Sequence, residues 1–140
     1  MTNSHFHAGV AVMIIKDGNV LLAKRKKSPC KDEYSFPGGH LEGGESFVAC
    51  ARRETREECA IEIENVEFLC AGNVTRFPPE QYFHIGFRAD WKNGEVVTTE
   101  PDTHSEWTWY PLDSLPKPLS IFTAITLDAR ISGKRFFDEL

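Results

Sequence analysis

The sequence is poor in the features that usually announce a compartment or a bulk partner. No apolar run approaches the ~20 residues that a membrane-crossing helix needs. The first residues show no basic-then-apolar pattern, so neither membrane insertion nor export is expected. Only four cysteines occur, Cys30, Cys50, Cys59 and Cys70, and none makes the C-x-x-C spacing of a zinc site. Cys50 and Cys59 read as packing thiols, and a reducing cytoplasm suits them. Positive charge is in deficit, with a formal net charge of −5. A stable nucleic-acid or anionic-membrane binder would show a basic face instead. Repeats, low-complexity tracts and linkers are missing too. What is present, 41% hydrophobic and 26% charged residues in a chain of 140, suffices for one domain with its own core, placed at residues 5–138.

Residues 9–15 (Gly-Val-Ala-Val-Met-Ile-Ile) are nearly all apolar and rich in β-branched types, which predicts a buried strand. Asp17-Gly18-Asn19 is a turn signal, and Val20 to Arg25 reads as the returning strand. Residues 26–36 read as a polar loop. Ser46 can cap a helix running to about Cys59, with Phe47, Cys50 and Ala51 on its buried side. Residues 61–73 suggest one or two strands, ended by Phe77-Pro78-Pro79, and Gln81 to Trp91 a further strand rich in aromatics. Asn93-Gly94 marks a turn. Residues 106–110 alternate as a short strand that puts Trp107 and Trp109 on one face. A second helix is expected near residues 121–131, closed by Gly133. His5 and His7 read as a surface lead-in to the first strand. Strands surrounding two helices make an α/β domain.

The chemistry concentrates in residues 37–61. Pro37-Gly38-Gly39-His40-Leu41-Glu42-Gly43-Gly44-Glu45 is a glycine-rich loop, and the helix that follows ends Arg53-Glu54-Thr55-Arg56-Glu57-Glu58. Residues three and four apart are neighbours on a helix, so Glu54, Glu57 and Glu58 converge. Carboxylates at that range repel unless something neutralises them. A hard divalent cation with oxygen ligands is the obvious neutraliser, and it favours phosphate-bearing substrates. A solvated acidic face is the plain alternative for the three glutamates alone. Gly38 and Gly39 are expected to supply positive φ and close approach to a ligand. Against the overall sign, Lys24-Arg25-Lys26-Lys27 is basic. It is either a solvated strand end or a place from which Arg25 reaches the phosphates.

Gly39, Glu45, Arg53, Glu54, Glu57, Glu58 and Ile61 match the spaced signature of the Nudix (MutT-like) hydrolases. Six such identities at near 7% usage arise by chance roughly once in ten million registers. The chain departs from the pattern at Thr55, where a bulky apolar residue is common, and at Ala60, where a glycine usually ends the helix. The resemblance covers nearly the whole chain and implies the Nudix fold, a mixed β-sheet sandwiched between α-helices. It implies Mg²⁺, with Mn²⁺ as a substitute, held by Glu54, Glu57, Glu58 and the Gly38 carbonyl. Glu45 would join the metal site or position a partner, and Arg53 would orient the carboxylates. One glutamate would also activate water; which one stays open.

A finer resemblance is to the branch of MutT homologues that act on purine nucleoside triphosphates, including oxidised and thio-substituted guanine nucleotides. Members of that branch also carry Thr and Ala at the two departing positions. Glu100-Pro101, residues 106–109 and residues 112–116 add to the match. It implies hydrolysis to a nucleoside monophosphate and pyrophosphate, and a homodimer. His40, with Gly39, would face the phosphates. Phe36, His84, Phe122, Thr123 and Ala124 would lie near the base, unless Phe36 and Phe122 are simply core and His84 a strand surface residue. The competing substrates are ADP-ribose, a dinucleotide, a nucleotide sugar or capped RNA. A module that binds a nucleotide without turnover ranks below these, because the Arg-Glu-x-x-Glu-Glu set is intact.

Overall fold

A computed structural model describes residues 5–138 and 140. In chain order the elements are β1 (His5–Lys16), β2 (Asn19–Lys24), β3 (Tyr34–Ser35), β4 (Gly38–His40), α1 (Phe47–Cys59), β5 (Glu62–Phe77), β6 (Glu80–Asn93), β7 (Thr108–Pro111), α2 (Ile121–Ser132) and β8 (Phe136–Phe137). The strands form one sheet ordered β3-β2-β1-β6-β5-β8, with β4 added to β1 and β7 to β2. It is mixed, since β1 runs parallel to β6 and antiparallel to β2 and β4. The expected α/β class, a mixed sheet between helices, is what the chain adopts.

The apolar run of β1 explains its central place, with Val10 through Ile14 all buried. Period two sends Val10, Val12 and Ile14 to the face packed by Cys50, Ala51 and Cys59 of α1. Ala11 and Met13 go to the other face, with Leu22 and Phe36. On that second side α2 lays Ile125 and Ala129 against Cys70, Val74 and Phe137. All four cysteines are free thiols, and Cys50, Cys59 and Cys70 are buried as packing groups. No described helix is long and apolar enough to cross a membrane.

Both helices are capped as their sequences require. Ser46 and Ser120 accept from the amides of Ala49 and Thr123 through their side chains. Thr55 is fully buried on α1, and its hydroxyl donates to the Ala51 carbonyl at 2.7 Å. A polar residue thus fits a position where the family favours an apolar one. Ala60 ends α1 in the left-handed conformation (φ 60°), the geometry a glycine would take, and its amide closes on the Arg56 carbonyl. The helix exit is therefore the usual one, held at a steric cost of about 1 kcal/mol.

The strands differ from the sequence reading in extent. β5 continues through Phe77 as one bulged strand against β6, with four shifts of register. Pro78 and Pro79 lie outside both strands, at the tip. The loop expected at 26–36 contains β3, two residues paired with β2. Trp107 precedes β7 instead of lying on it, and is buried in the core. His5 and His7 begin β1 and share the carboxylate of Glu80, the residue that opens β6.

Candidate active site

Arg53 organises the loop–helix motif. Its guanidinium donates to Glu45 at 2.6 and 3.0 Å, to Glu54 at 2.7 Å, to Glu57 at 3.1 Å and to the His40 carbonyl at 3.0 Å. Such charge-assisted bonds are short and directional. They explain why Glu45, eight residues earlier, faces the same helix turn. Hydrogen bonding from Arg53 holds the Glu45 carboxyl down to about 2. Burial works the other way on Glu54, raising its pKa despite the Arg53 bond.

Glu58 is the buried member of the three glutamates, while Glu57 is half-exposed on the outer side of the helix. The amide of Gly38 donates to Glu58 at 2.8 Å. Burial pushes the Glu58 carboxyl up to about 8, and the charges of Glu54 and Glu100 add to the shift. The two glycines act here through missing side chains. A Cβ on Gly39 would lie 2.4 Å from the Glu54 carboxylate, and one on Gly38 would lie 2.0 Å from the Val10 carbonyl oxygen. Neither glycine has positive φ, contrary to the sequence expectation. Pairing of β4 with β1 keeps them extended, and their smallness is what lets strand, loop and helix close together.

A second segment completes the surroundings of Glu58. The last carbonyls of α1 are satisfied from residues 97–99. Val97 N–H donates to Cys59 at 3.0 Å, Thr99 N–H to Glu58 at 3.4 Å, and the Thr99 hydroxyl to Glu57. This fastening seats Glu100 and His104 against Glu58, the three ligand-type groups lying within 4.8 Å of one another. His104 is buried, with Nε2 3.6 Å from the Glu58 carboxylate, and burial drops its pKa to about 4. Neither residue was singled out from sequence as a site group. The one available signal was Glu100-Pro101, an acidic residue fixed before a proline in a loop.

Beside the carboxylates opens a cavity of about 120 Å³, whose lining includes Arg25, Phe36, Gly38, Gly39, His40, His84, Phe122 and Thr123. Eight residues singled out from four separate stretches of sequence are thereby brought together. Ala124 is not among the lining residues; its amide is spent on the Ser120 carbonyl in the first turn of α2. Arg25 is anchored by donation from Nε to the Pro29 carbonyl at 2.7 Å. Phe36 belongs to the core and the lining alike. His84 is buried instead of lying on the surface, and burial lowers its pKa to about 3. Tyr82, Ser35 and Ser120 also line the cavity and were missed, since nothing in their local sequence marks them.

The NUDIX domain model matches residues 5–129. The MutT NUDIX hydrolase from Burkholderia pseudomallei superposes with a TM-score of 0.84 and 31% identity, over 90% of this chain and 98% of that one. The E. coli ORF135 protein gives a TM-score of 0.73 and 25% identity, over 92% and 91%. The NAD-capped RNA hydrolase NudC of Pseudomonas aeruginosa is 32% identical over 105 residues, which is 75% of this chain and 36% of that protein. The chain thus spans about two fifths of the length of the curated relatives it matches. The chain belongs to the Nudix hydrolase family, the family of pyrophosphate-bond hydrolases that its loop–helix motif resembles.

Proposed function

We propose that the chain is a magnesium-dependent hydrolase of nucleoside triphosphates, purine nucleotides and their oxidised or modified forms in particular, releasing a nucleoside monophosphate and pyrophosphate. The observation that carries this reading is a buried carboxylate, Glu58, bonded by the Gly38 amide and close to Glu54, with Gly38, Gly39 and His104 between these carboxylates and an aromatic-walled cavity that they line. The donor set fits a hard divalent ion. It is all oxygen apart from His104, and a carboxyl pushed up to about 8 by burial is one that a cation would stabilise as the anion. In this reading Glu54, Glu57, Glu58 and the Gly38 carbonyl hold Mg²⁺ or Mn²⁺, with Glu100 at the edge of the set. Such an ion supplies charge neutralisation and a bound water of lowered pKa.

The chain's own residues do the rest. Arg53 fixes the carboxylates through the bonds described above, and Glu45 holds Arg53. Arg25, Gly39 and His40 face the phosphates from the cavity mouth. Phe36, His84, Phe122 and Thr123 flank the base. One of the glutamates orients or deprotonates the attacking water. Three buried free thiols suit the cytoplasm, and the same reading carries a homodimer.

A second reading is favoured by the NudC relatives, which are named as hydrolases of NAD-capped RNA. There the scissile pyrophosphate lies inside a dinucleotide. Turnover of nucleoside triphosphates, ADP-ribose, a dinucleotide and NAD-capped RNA with Mg²⁺, resolved by chromatography, separates the two. Monophosphate plus pyrophosphate from a purine triphosphate is the expected result. Cleavage of the dinucleotide or capped substrates alone would transfer the proposal to the second reading.

A further inference from the structure

Buried polar side chains are normally paired, and an unpaired one calls for a reason. Among the described residues, the Ser35 hydroxyl is the buried side-chain oxygen or nitrogen that lacks a protein hydrogen-bond partner. Ser35 is 7% exposed, sits on β3 opposite Ala23, and lines the cavity. Its polar neighbours in that wall are already engaged. The Ser120 hydroxyl donates to Thr123 Oγ1 at 3.0 Å, and the Phe36 amide donates to the same oxygen at 3.1 Å. The Thr126 hydroxyl donates to the Phe122 carbonyl at 2.8 Å, so its oxygen accepts from His84 Nε2 at 2.8 Å. That bond fixes the neutral His84 with its proton on Nε2 and leaves Nδ1 an acceptor.

This end of the cavity differs from the phosphate end. Ser35, Phe36, His84, Ser120, Phe122 and Thr123 carry no formal charge when His84 is neutral, and Arg25 is the lining cation. A phosphate needs cations or several amide donors. A planar heteroaromatic base needs apolar faces and a few polar groups at its edge. A serine hydroxyl both donates and accepts, so it can meet a ring nitrogen, an amino group or a carbonyl. Water can satisfy it in the free protein, but a base that displaces this water must supply the bond in its place.

We propose that the Ser35 hydroxyl is a specificity-determining group that hydrogen-bonds the polar edge of the substrate's nucleobase. This rests on reading the cavity as a base pocket, as under Proposed function, but not on turnover. The test compares wild type, Ser35→Ala and Ser35→Cys in binding GMP, AMP, CMP, UMP and ribose 5-phosphate by titration calorimetry with Mg²⁺, alongside thermal unfolding. In the wild type at least one base should tighten binding over ribose 5-phosphate. Ser35→Ala should cut that gain roughly fivefold, the worth of one neutral hydrogen bond. Its ribose 5-phosphate affinity should stay the same. Its Tm should not fall, because the hydroxyl has no protein hydrogen bond to lose. Ser35→Cys, nearly isosteric and a weak hydrogen-bond former, should reproduce the loss of gain.

An undiminished gain in both variants, an equal loss on ribose 5-phosphate, or a lowered Tm in Ser35→Ala would each overturn the assignment. So would a wild type in which no base adds affinity. Failure of the hydrolase reading appears separately, as lack of turnover by a wild type whose binding still discriminates bases.

Discussion

The two ends of the cavity are built on opposite principles. At the carboxylate end, charge is dense and cross-linked. One guanidinium serves three glutamates and a main-chain carbonyl, and glycines remove every atom that would hold loop and helix apart. At the α2 end, charge is removed: His84 is kept neutral by burial, the hydroxyls bond one another, and one hydroxyl is left over. The first end is organised to fix positions, the second to leave a vacancy of defined polarity. Changes at the first should therefore act on rate, and changes at the second on selection.

The sharpest break of that contrast is Glu58→Gln, which should lower kcat by about 10³-fold or more. The fold should survive, since the amide keeps the shape and still accepts from Gly38. Glu57→Gln should lose turnover in the same way with even less effect on stability, because it is half-exposed. Steady-state kinetics beside circular dichroism reads both, and near-full activity in the pair would remove the metal-site assignment. Gly38→Ala comes next. A Cβ 2.0 Å from a backbone oxygen cannot be relieved by a rotamer change, so denaturant unfolding should show a loss on the order of 3 kcal/mol. Gly39→Ala meets the movable end of Glu54 instead. Activity should fall far more than stability there.

At the other end Phe122→Ala should raise KM about tenfold for base-bearing substrates, by loss of stacking, with kcat nearly unchanged. A fall in kcat alone would place Phe122 with the first region. Histidine neutrality gives a pH dependence of known sign. His84 has a folded pKa of about 3, below its unfolded value of about 6.5, so the unfolded chain takes up the proton first. The contribution of His84 to stability is full above about pH 6.5 and falls as the pH drops through this window. Urea unfolding from pH 7 to pH 4 should show His84→Gln losing less stability than the wild type, against a background in which His104 acts in the same sense and the raised Glu58 in the opposite one. The smallest effect is expected at Ala60→Gly. Relief of the left-handed alanine, offset by glycine's chain entropy, should stabilise by about 0.5 kcal/mol with unaltered kinetics.

Legibility followed the same division. The carboxylate end was readable because one unbroken stretch supplies it, and helical spacing turns residue numbers into neighbours. Helical spacing alone places Glu54, Glu57, Glu58 and Arg53 relative to one another. It does not place Glu100 and His104, since their approach to Glu58 depends on Val97 and Thr99 fastening to the end of α1, a contact no local pattern encodes. β3 and β4 were hidden for a related reason. Two- and three-residue strands are defined by their partners and carry no period of their own. The α2 wall draws single residues from β3, β6 and α2, so Phe36, His84 and Thr123 came from resemblance to a family, and Ser35 from neither source.

β1 gives the molecule a fixed ruler. Its backbone pairs with β4 at Val10 and Ala11, next to the glycines over the carboxylates, and its neighbour β6 carries His84 on the opposite wall. Eleven consecutive register pairs tie those strands together without a bulge, whereas β5 against β6 slips four times. The span from base wall to carboxylates is thus set by the stiffest pairing in the sheet. A ligand is gauged by its length from ring to scissile phosphate, and the irregular outer strand leaves that gauge undisturbed.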